Sequence, residues 1–542
     1  MTGTRGRYYL IRAIPALLLL VLLFLLPLSF SFHRSFSDGS GSLLGIFRDG
    51  YTYRLLSFTL KQSLLSAFIS VLAAIPFAAF ISTYSFPGRR AILTLASLSF
   101  TLPAILVVLG FVIWYGNNGI LNRALMQMLS MDEPPLRILY SFSAVILAHV
   151  YLNFPVALSL LTASWTSMPD AEEKASYLMG SGRMRTFFRI TLPKLRGSLI
   201  AAFMLIFLFC FSSFTIVMVL GGKPEFSTLE SEIYRRLHTE GNVNEAASLS
   251  VFVIIVNSVM LIATSGARRS PRKSRKEREL KRARGMRLLQ AFLISLIILL
   301  FLLPPLLAIA YRSFYTKEGT FTLSAWKSVF RGGKGLLGSA PKAILSSFLI
   351  AIVSALVSVM LAERLSLYSA KSGSHLVPFL ATLPMATGSV TLGMGFLLVS
   401  SFIHSFSSAV SYMLVIAAHL IITIPFAVRT ILPGARSISD SIALSSLTLG
   451  ASMKKTIRKA ERPLLSPYIR KAFAFSFAIS LGEVNATLTL SEGSVSTIPV
   501  LMYRMIDTYN YQGASALGII LLTEALIVFA ICECGGKHNA IS

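Results

Sequence analysis

The chain has 542 residues, of which 54% are hydrophobic and 13% charged, with a mean hydropathy of +0.70. A water-soluble protein of this length cannot bury so large an apolar share, so lipid is the solvent for most of it. The formal net charge of +27 does not point to nucleic acid, because the basic residues sit between apolar runs, where they act as a topology signal.

A helix needs about 20 apolar residues to cross the hydrocarbon core. Runs of that kind are predicted at 11–32, 56–82, 91–115, 138–163, 197–220 and 246–267, and again at 288–311, 343–362, 376–400, 408–428, 472–490 and 514–531. The first follows Arg5 and Arg7, but it is too long for a signal-peptide core and no small-residue cleavage site follows it, so it reads as a retained span. Helices are expected because a backbone in lipid must satisfy its own hydrogen bonds. Barrel strands would instead show short alternating segments. Twelve spans with both termini in the cytoplasm place most Lys and Arg inside, including Arg89, Arg90 and the run 268–287.

The two sets of spans repeat one another. His149 to Pro155 in AHVYLNFP recurs as His419 to Pro425 in AHLIITIP, at an offset of 270 that also carries Asp170 onto Asp440, Gly180 onto Gly450 and Pro193 onto Pro463. Thr101–Pro103 recurs at Thr382–Pro384 and Lys61 as Lys342, at an offset of 281, because the loop around 116–137 is longer in the first set. An even number of spans per repeat makes the repeats parallel. The expected organisation is a first repeat at 1–267, a basic linker at 268–287 and a second repeat at 288–542. The segment Ala267–Arg287 holds eleven Lys or Arg and no aromatic residue. It reads as a solvated connector near anionic headgroups, with no nucleic-acid role.

Reactive side chains are sparse. Cys210 lies in an apolar run, and Cys532, Cys534 and His538 are a poor zinc clamp, so neither a disulfide framework nor a metal site is expected. No nucleophile–base pair stands out, so no catalytic residue is expected. The phosphate-binding pattern G-x-x-x-x-G-K-[ST] is absent, so the chain is not expected to hydrolyse ATP.

The most informative feature is a long loop after the fourth span of each repeat, at 165–195 and 433–465. The first contains PDAEEKASYLMGSGRMRTFFRITLPKL, which predicts a short helix opened by Asp170, a turn at Gly180, and a second helix near Pro193. Taken alone, this loop also fits an interfacial amphipathic helix with no partner. The segment resembles the EAA loop of ABC importer permeases, whose pattern is E-A-A, three residues, G, nine residues, I-x-L-P. Ala175, Gly180, Ile190, Leu192 and Pro193 fall at that spacing, Lys174 takes the Glu position with Glu172 and Glu173 just before it, and Ser176 replaces the second Ala. The second loop is more degenerate: Gly450 and Pro463 remain, Leu444, Ser445 and Ser446 replace E-A-A, and Ala460 replaces Ile.

LPAILVVLGFVIWYGNNGILN (Leu102–Asn122), FSSFTIVMVLGG (Phe211–Gly222) with the following TLESEIYRRL stretch, and FAISLGEVNATLTL (Phe477–Leu490) extend the resemblance along nearly the whole chain, to fused permeases for thiamine and ferric iron. SSFTIVMVLGGKP is the stretch most similar to the thiamine type. The resemblance implies an all-α membrane protein of the type I importer permease kind, with twelve transmembrane helices in two parallel six-helix repeats. It further implies a place in the bacterial inner membrane, two copies of a cytoplasmic ATP-binding subunit on the loops, and a periplasmic or lipid-anchored substrate-binding protein opposite. ATP and Mg would be bound by the partner ATPase and no cofactor by this chain. Asp170, Glu172, Glu173, Ala175, Gly180, Ile190, Pro193, Asp440, Gly450 and Pro463 become the coupling candidates.

Within the spans, Glu483 is a carboxylate in an apolar run, which faces either an aqueous cavity or a structural partner. Asn485 follows it, and Ser212, Ser213 and Phe214 occupy the matching place in the first repeat. These five are the candidate passage residues, with thiamine or a thiamine phosphate as the expected solute and ferric iron as the alternative. The reading from another class is a major-facilitator carrier, which also has twelve spans and a basic central linker. Its short second-to-third loop is echoed by Arg89 and Arg90 after Gly88, but such a carrier has no need of the two long loops.

Overall fold

The computed structural model describes residues 3–37, 49–99, 102–222, 224–265, 278–331, 339–402, 408–491 and 495–537. Thr101, Lys223, residues 268–277 and His538 lie outside this set, as does the side chain of Cys534.

The described chain is almost wholly helical. Among the described residues ten helices are long and apolar enough to cross a membrane, or eleven if the pair Leu376–Met385 and Ser389–Ser401, bent by 90°, forms one span. Twelve spans are therefore not confirmed, and where the helices depart from the expected runs the causes are local, although Ala104–Leu129 still counts among the ten. The run expected at 91–115 is split into Arg89–Ser99 and Ala104–Tyr115, with Pro103 at the N-terminus of the second piece. The run expected at 472–490 is not one helix either. Arg462–Leu481 carries Arg470 and Lys471 and stops before Gly482, and a new helix starts at Asn485.

Two compact units form, and each draws on both sequence repeats. One comprises Met1–Asp49, Glu232–Ile255 and Ala310–Ser542. Its centre is the mutual packing of Ala340–Ser372, Ser408–Ser437 and Arg462–Leu481, against which the Gly3–Ser37 helix lies. Ala16, Leu20, Ala362, Leu365, Ile421 and Ile424 are buried together there. The Gly3–Ser37 helix approaches closely at Gly395, where a Cβ would stand 2.8 Å from the Pro27 carbonyl oxygen. Only a residue without a side chain fits.

The other unit comprises Gly50–Ser231 and Val256–Ile309. Gly50–Thr83, Phe142–Thr166 and Leu192–Phe211 form its centre. The Met286–Phe314 helix joins it through the Tyr151 hydroxyl, which donates to the Leu302 carbonyl at 2.5 Å. At Gly110 a Cβ would lie 2.7 Å from the Pro305 carbonyl oxygen. In both units, then, the first apolar helix of one repeat lies with its proline backbone against a glycine of the other repeat.

The end of the basic segment is not a free connector. Lys281–Arg282 pairs in parallel with Tyr84–Ser85, the Ala283 amide donates to the Ser85 carbonyl at 2.9 Å, and the Arg287 guanidinium lies 5.5 Å from the centre of the Tyr84 ring. Residues 278–287 are thus docked on the fold through this backbone pairing, Arg278 and Arg287, while Lys281, Arg282 and Arg284 remain exposed as the linker reading expects.

Because each unit needs both repeats, fragments 1–275 and 276–542 expressed together should co-purify and give a thermal transition near that of the intact chain. A cut after Arg284 would detach the paired strand from the helix that follows and should lower the recovery. Pull-down with a tag on one fragment checks both outcomes.

Candidate functional site

The two long loops fold alike. In the first, Asp170 stands at the N-terminus of the Ala171–Leu178 helix, which ends in a left-handed turn at Gly180, with φ +81°. The Gly180 amide donates to the Tyr177 carbonyl at 3.0 Å and the Ser181 amide to the Ser176 carbonyl at 3.0 Å. In the second, the Asp440–Thr448 helix ends at Gly450, with φ +80°. There the Gly450 amide donates to Leu447 at 2.9 Å and Ala451 to Ser446 at 3.1 Å. This paired closure satisfies the last carbonyls of a helix by reversing the chain at a residue with positive φ, which glycine adopts without a Cβ penalty.

The chain then re-enters a helix, at Arg183–Thr186 in one loop and Met453–Thr456 in the other. Each continues through a five-residue π-helical turn, Phe187–Thr191 and Ile457–Glu461, into the next long helix, where Pro193 and Pro463 lie in the first turn. A hydroxyl pair joins the two short helices of each loop, Ser176 to Thr186 and Ser446 to Thr456, both at 3.0 Å. Degeneracy of the second motif has thus not altered the backbone.

The helix faces are polar and ion-paired. Lys174 lies 2.9 Å from Asp170 and Lys194 lies 2.6 Å from Glu172. The hydrogen bond from Lys174 holds the Asp170 carboxyl below its ordinary range. That contribution to stability is present above the ordinary carboxylate pKa and is lost as the pH falls through the lowered one. Ala175 and Pro193 are exposed and Ile190 is half-buried. The turns themselves present apolar residues: Leu178 is 90% exposed, Met179 87% and Leu449 87%.

Each loop is anchored at its base by a buried carboxylate. Glu173 accepts from the Thr191 hydroxyl at 2.8 Å and pairs with Arg278. Glu461, fully buried, accepts from Tyr9 at 2.8 Å and lies 3.6 Å from Lys371, which also reaches Asp440 at 2.8 Å. Tyr9, Thr191, Arg278 and Lys371 were not among the sequence candidates. The available signal was the offset of 270, which sets Thr191 opposite Glu461.

The passage candidates lie at breaks and not inside continuous spans. Glu483 sits between the helices Arg462–Leu481 and Asn485–Ser491, accepting from the Ala486 amide at 3.0 Å and from Ser389 at 3.3 Å. It therefore caps the helix that Asn485 opens. In the first repeat the Leu192–Phe211 helix stops at the same register, with Ser212 and Ser213 half-buried and Phe214 buried. Asn257 lies 3.4 Å from the Ser212 hydroxyl. Glu483 belongs to one compact unit and Ser212, Ser213 and Phe214 to the other. His419 braces the second break, with Nδ1 2.8 Å from Ser480 and Nε2 2.8 Å from Thr487. Among the described residues its counterpart His149 has Ser66 at 3.3 Å, and its buried Nε2 has no partner there.

Two such loops in a helical, multi-pass chain are what the resemblance to the membrane-spanning subunits of ABC transporters implies. Residues 64–276 match the family described as binding-protein-dependent transport system inner membrane component, which sets aside the major-facilitator alternative. Over 496 residues the chain is 28% identical to the thiamine transport system permease protein of Brucella abortus (strain 2308), covering 90% of this chain and 88% of that one. It is 25% identical over 500 residues to the protein of the same description from Escherichia coli (strain K12), covering 90% of each. The ferric transport system permease protein of Actinobacillus pleuropneumoniae is 24% identical over 556 residues, 97% of this chain and 78% of that one.

The turn glycines have open space around the missing Cβ, so the cost of substitution is conformational only. Gly180→Ala should destabilise the loop by roughly 1–2 kcal/mol without expelling the protein from the membrane. Gly450→Ala should cost about the same, since φ is nearly equal. Hydrogen exchange of the amides at 177–181 and 447–451 measures both effects, and unchanged protection would contradict them.

Proposed function

We propose that this chain is the transmembrane subunit of an ATP-driven importer. It would pass thiamine or a thiamine phosphate from a periplasmic or lipid-anchored binding protein into the cytoplasm, with both of its own termini cytoplasmic. The observation that carries the reading is the pair of superposable loops, each with exposed apolar side chains on a rigid turn, in a chain similar to thiamine permeases over 90% of its length.

In this reading each loop seats one copy of a cytoplasmic ATPase, which binds ATP and Mg. Asp170, Glu172, Glu173, Ala175, Gly180, Ile190 and Pro193 shape the first seat, and Asp440, Gly450 and Pro463 the second. A short helix rigidly joined to the following span converts closure of the ATPase into a tilt of that span. Transport follows if the ATP-bound partner favours one of two packings of the spans. This chain supplies the path and the levers and performs no bond chemistry.

Glu483, Asn485, Ser212, Ser213 and Phe214 are proposed to border the passage. A carboxylate in low dielectric favours a cation, and broken helices place helix ends beside a path. Phe214 would add a cation–π contact of about 1 kcal/mol in a conformation that uncovers it. A permease fed by a binding protein needs little affinity of its own, so Glu483 should affect turnover more than affinity.

Proteoliposomes holding the permease, its ATPase and its binding protein, given labelled thiamine and ferric iron side by side, test the proposal. Thiamine uptake driven by ATP is expected, and Glu483→Gln should lower its rate several-fold with little change in the half-saturating concentration. Iron uptake without thiamine uptake would reject the substrate, and an unchanged Glu483→Gln rate would reject the residue's part in it. In the same vesicles Gly180→Arg should leave the protein inserted but abolish substrate-stimulated ATP hydrolysis. Full stimulation would reject the coupling role.

A further inference from the structure

The buried carboxylates at the loop bases share a pattern that the repeat alone does not require. Glu173 stands on the short helix of the first loop and bonds to Thr191 at the head of the next long helix. In the second loop the acid occupies the other side, at Glu461, where the first repeat has Thr191, and Ala443 replaces Glu173. Each repeat thus keeps one carboxylate between the same two elements, although at different positions.

In both cases one of the groups that reach that carboxylate comes from the sequence leading into the first apolar helix of the opposite repeat. Arg278, eight residues before the Met286–Phe314 helix, pairs with Glu173 while its amide donates to the Thr166 carbonyl at 3.0 Å. Tyr9, in the second turn of Gly3–Ser37, donates to both oxygens of Glu461, at 2.8 and 2.9 Å. Each contact lies inside one compact unit. Farther along, the same first helices are packed on glycines of the repeat whose loop they hold, Pro305 on Gly110 and Pro27 on Gly395.

We propose that Arg278 and Tyr9 are latches: each fastens the first helix of its own repeat to the loop of the other. Displacement of one loop then moves spans from both repeats together. The inference rests on the proposed function only for the source of the displacement. Arg278 and Tyr9 are positioning residues. They act through Glu173 and Glu461 on the angle of the loop, and neither needs to touch solute or ATPase.

The cation and hydroxyl are well matched to buried acids. An ionised carboxylate taken out of water is stable only with a partner, and truncating that partner leaves it exposed to the full desolvation penalty. Lys371 remains beside Glu461 when Tyr9 loses its hydroxyl, so that latch loosens without leaving the carboxylate isolated. Thr191 alone remains beside Glu173 when Arg278 is removed. The Arg278 variant should therefore have the larger effect.

Two variants of the full chain, Arg278→Gln and Tyr9→Phe, separate this from general loss of fold. In hydrogen exchange, Arg278→Gln should speed exchange about tenfold across 171–191 and leave 440–461 unchanged. Tyr9→Phe should do the reverse with a smaller change. Arg278→Lys should restore much of the protection. This measurement needs neither ATPase nor solute, so its outcome stands whether or not the transport reading holds. In the reconstituted complex, thiamine moved per ATP hydrolysed should fall several-fold for Arg278→Gln and further for the double variant, at equal amounts of bound ATPase. Unchanged exchange at both loops would overturn the latches, and so would altered exchange with an unchanged ratio of uptake to hydrolysis.

Discussion

A carboxylate buried where two short helices meet a long one constrains everything around it. Neither Glu173 nor Glu461 can be left alone in such a place, because desolvation of an unpaired ion costs several kcal/mol. The surrounding sequence must bring a cation or hydroxyl to it, and the nearest elements of the same loop do not suffice. Thr191 supplies one hydrogen bond to Glu173, and Arg278 completes the set from a segment 105 residues away. Lys371 and Tyr9 do the same for Glu461, Tyr9 from 452 residues away. The loops owe their fixed angle to these long-range pairs as much as to their own turns.

The interrupted spans follow another rule. Irregular backbone at membrane depth is tolerated only where protein groups satisfy it. At the second break Glu483 takes the Ala486 amide, Ser389 reaches Glu483, and His419 holds the helices on either side through Ser480 and Thr487. At the first break the equivalents of Ser480 and Thr487 are Cys210 and Val217, which offer no comparable hydrogen bond. Among the described residues His149 accordingly has one weak partner. Two breaks in the same register are thus supported by different chemistry, with Gln62 on the Cys210 carbonyl and Thr228 on the Ser213 carbonyl at the first.

Much of this was legible in order along the chain. The offset of 270 placed Gly180 and Gly450 at equivalent turns, and both adopt a positive φ in the same hydrogen-bonded closure. Local signals of that kind survive because a turn depends on few residues. The degenerate second motif suggested a weaker copy, yet the backbone is the same, since the turn needs a glycine and a hydroxyl pair and not the E-A-A letters themselves. Hydropathy marked the apolar runs but not their interruptions. A window average passes over Gly482 and Glu483, where two or three residues end one helix and start another.

Sequence by itself determined the helical class, the repeat, the positions of the two loops and the glycines that turn them, because periodicity, apolar run length and a required positive φ are properties of neighbouring residues. Tertiary structure alone decided which elements share a unit, that residues 278–287 pair with Tyr84–Ser85, and that Tyr9 and Arg278 end on buried carboxylates. Those outcomes depend on contacts across more than a hundred residues. An arginine in a run of basic residues carries no local mark of the one carboxylate that it will meet.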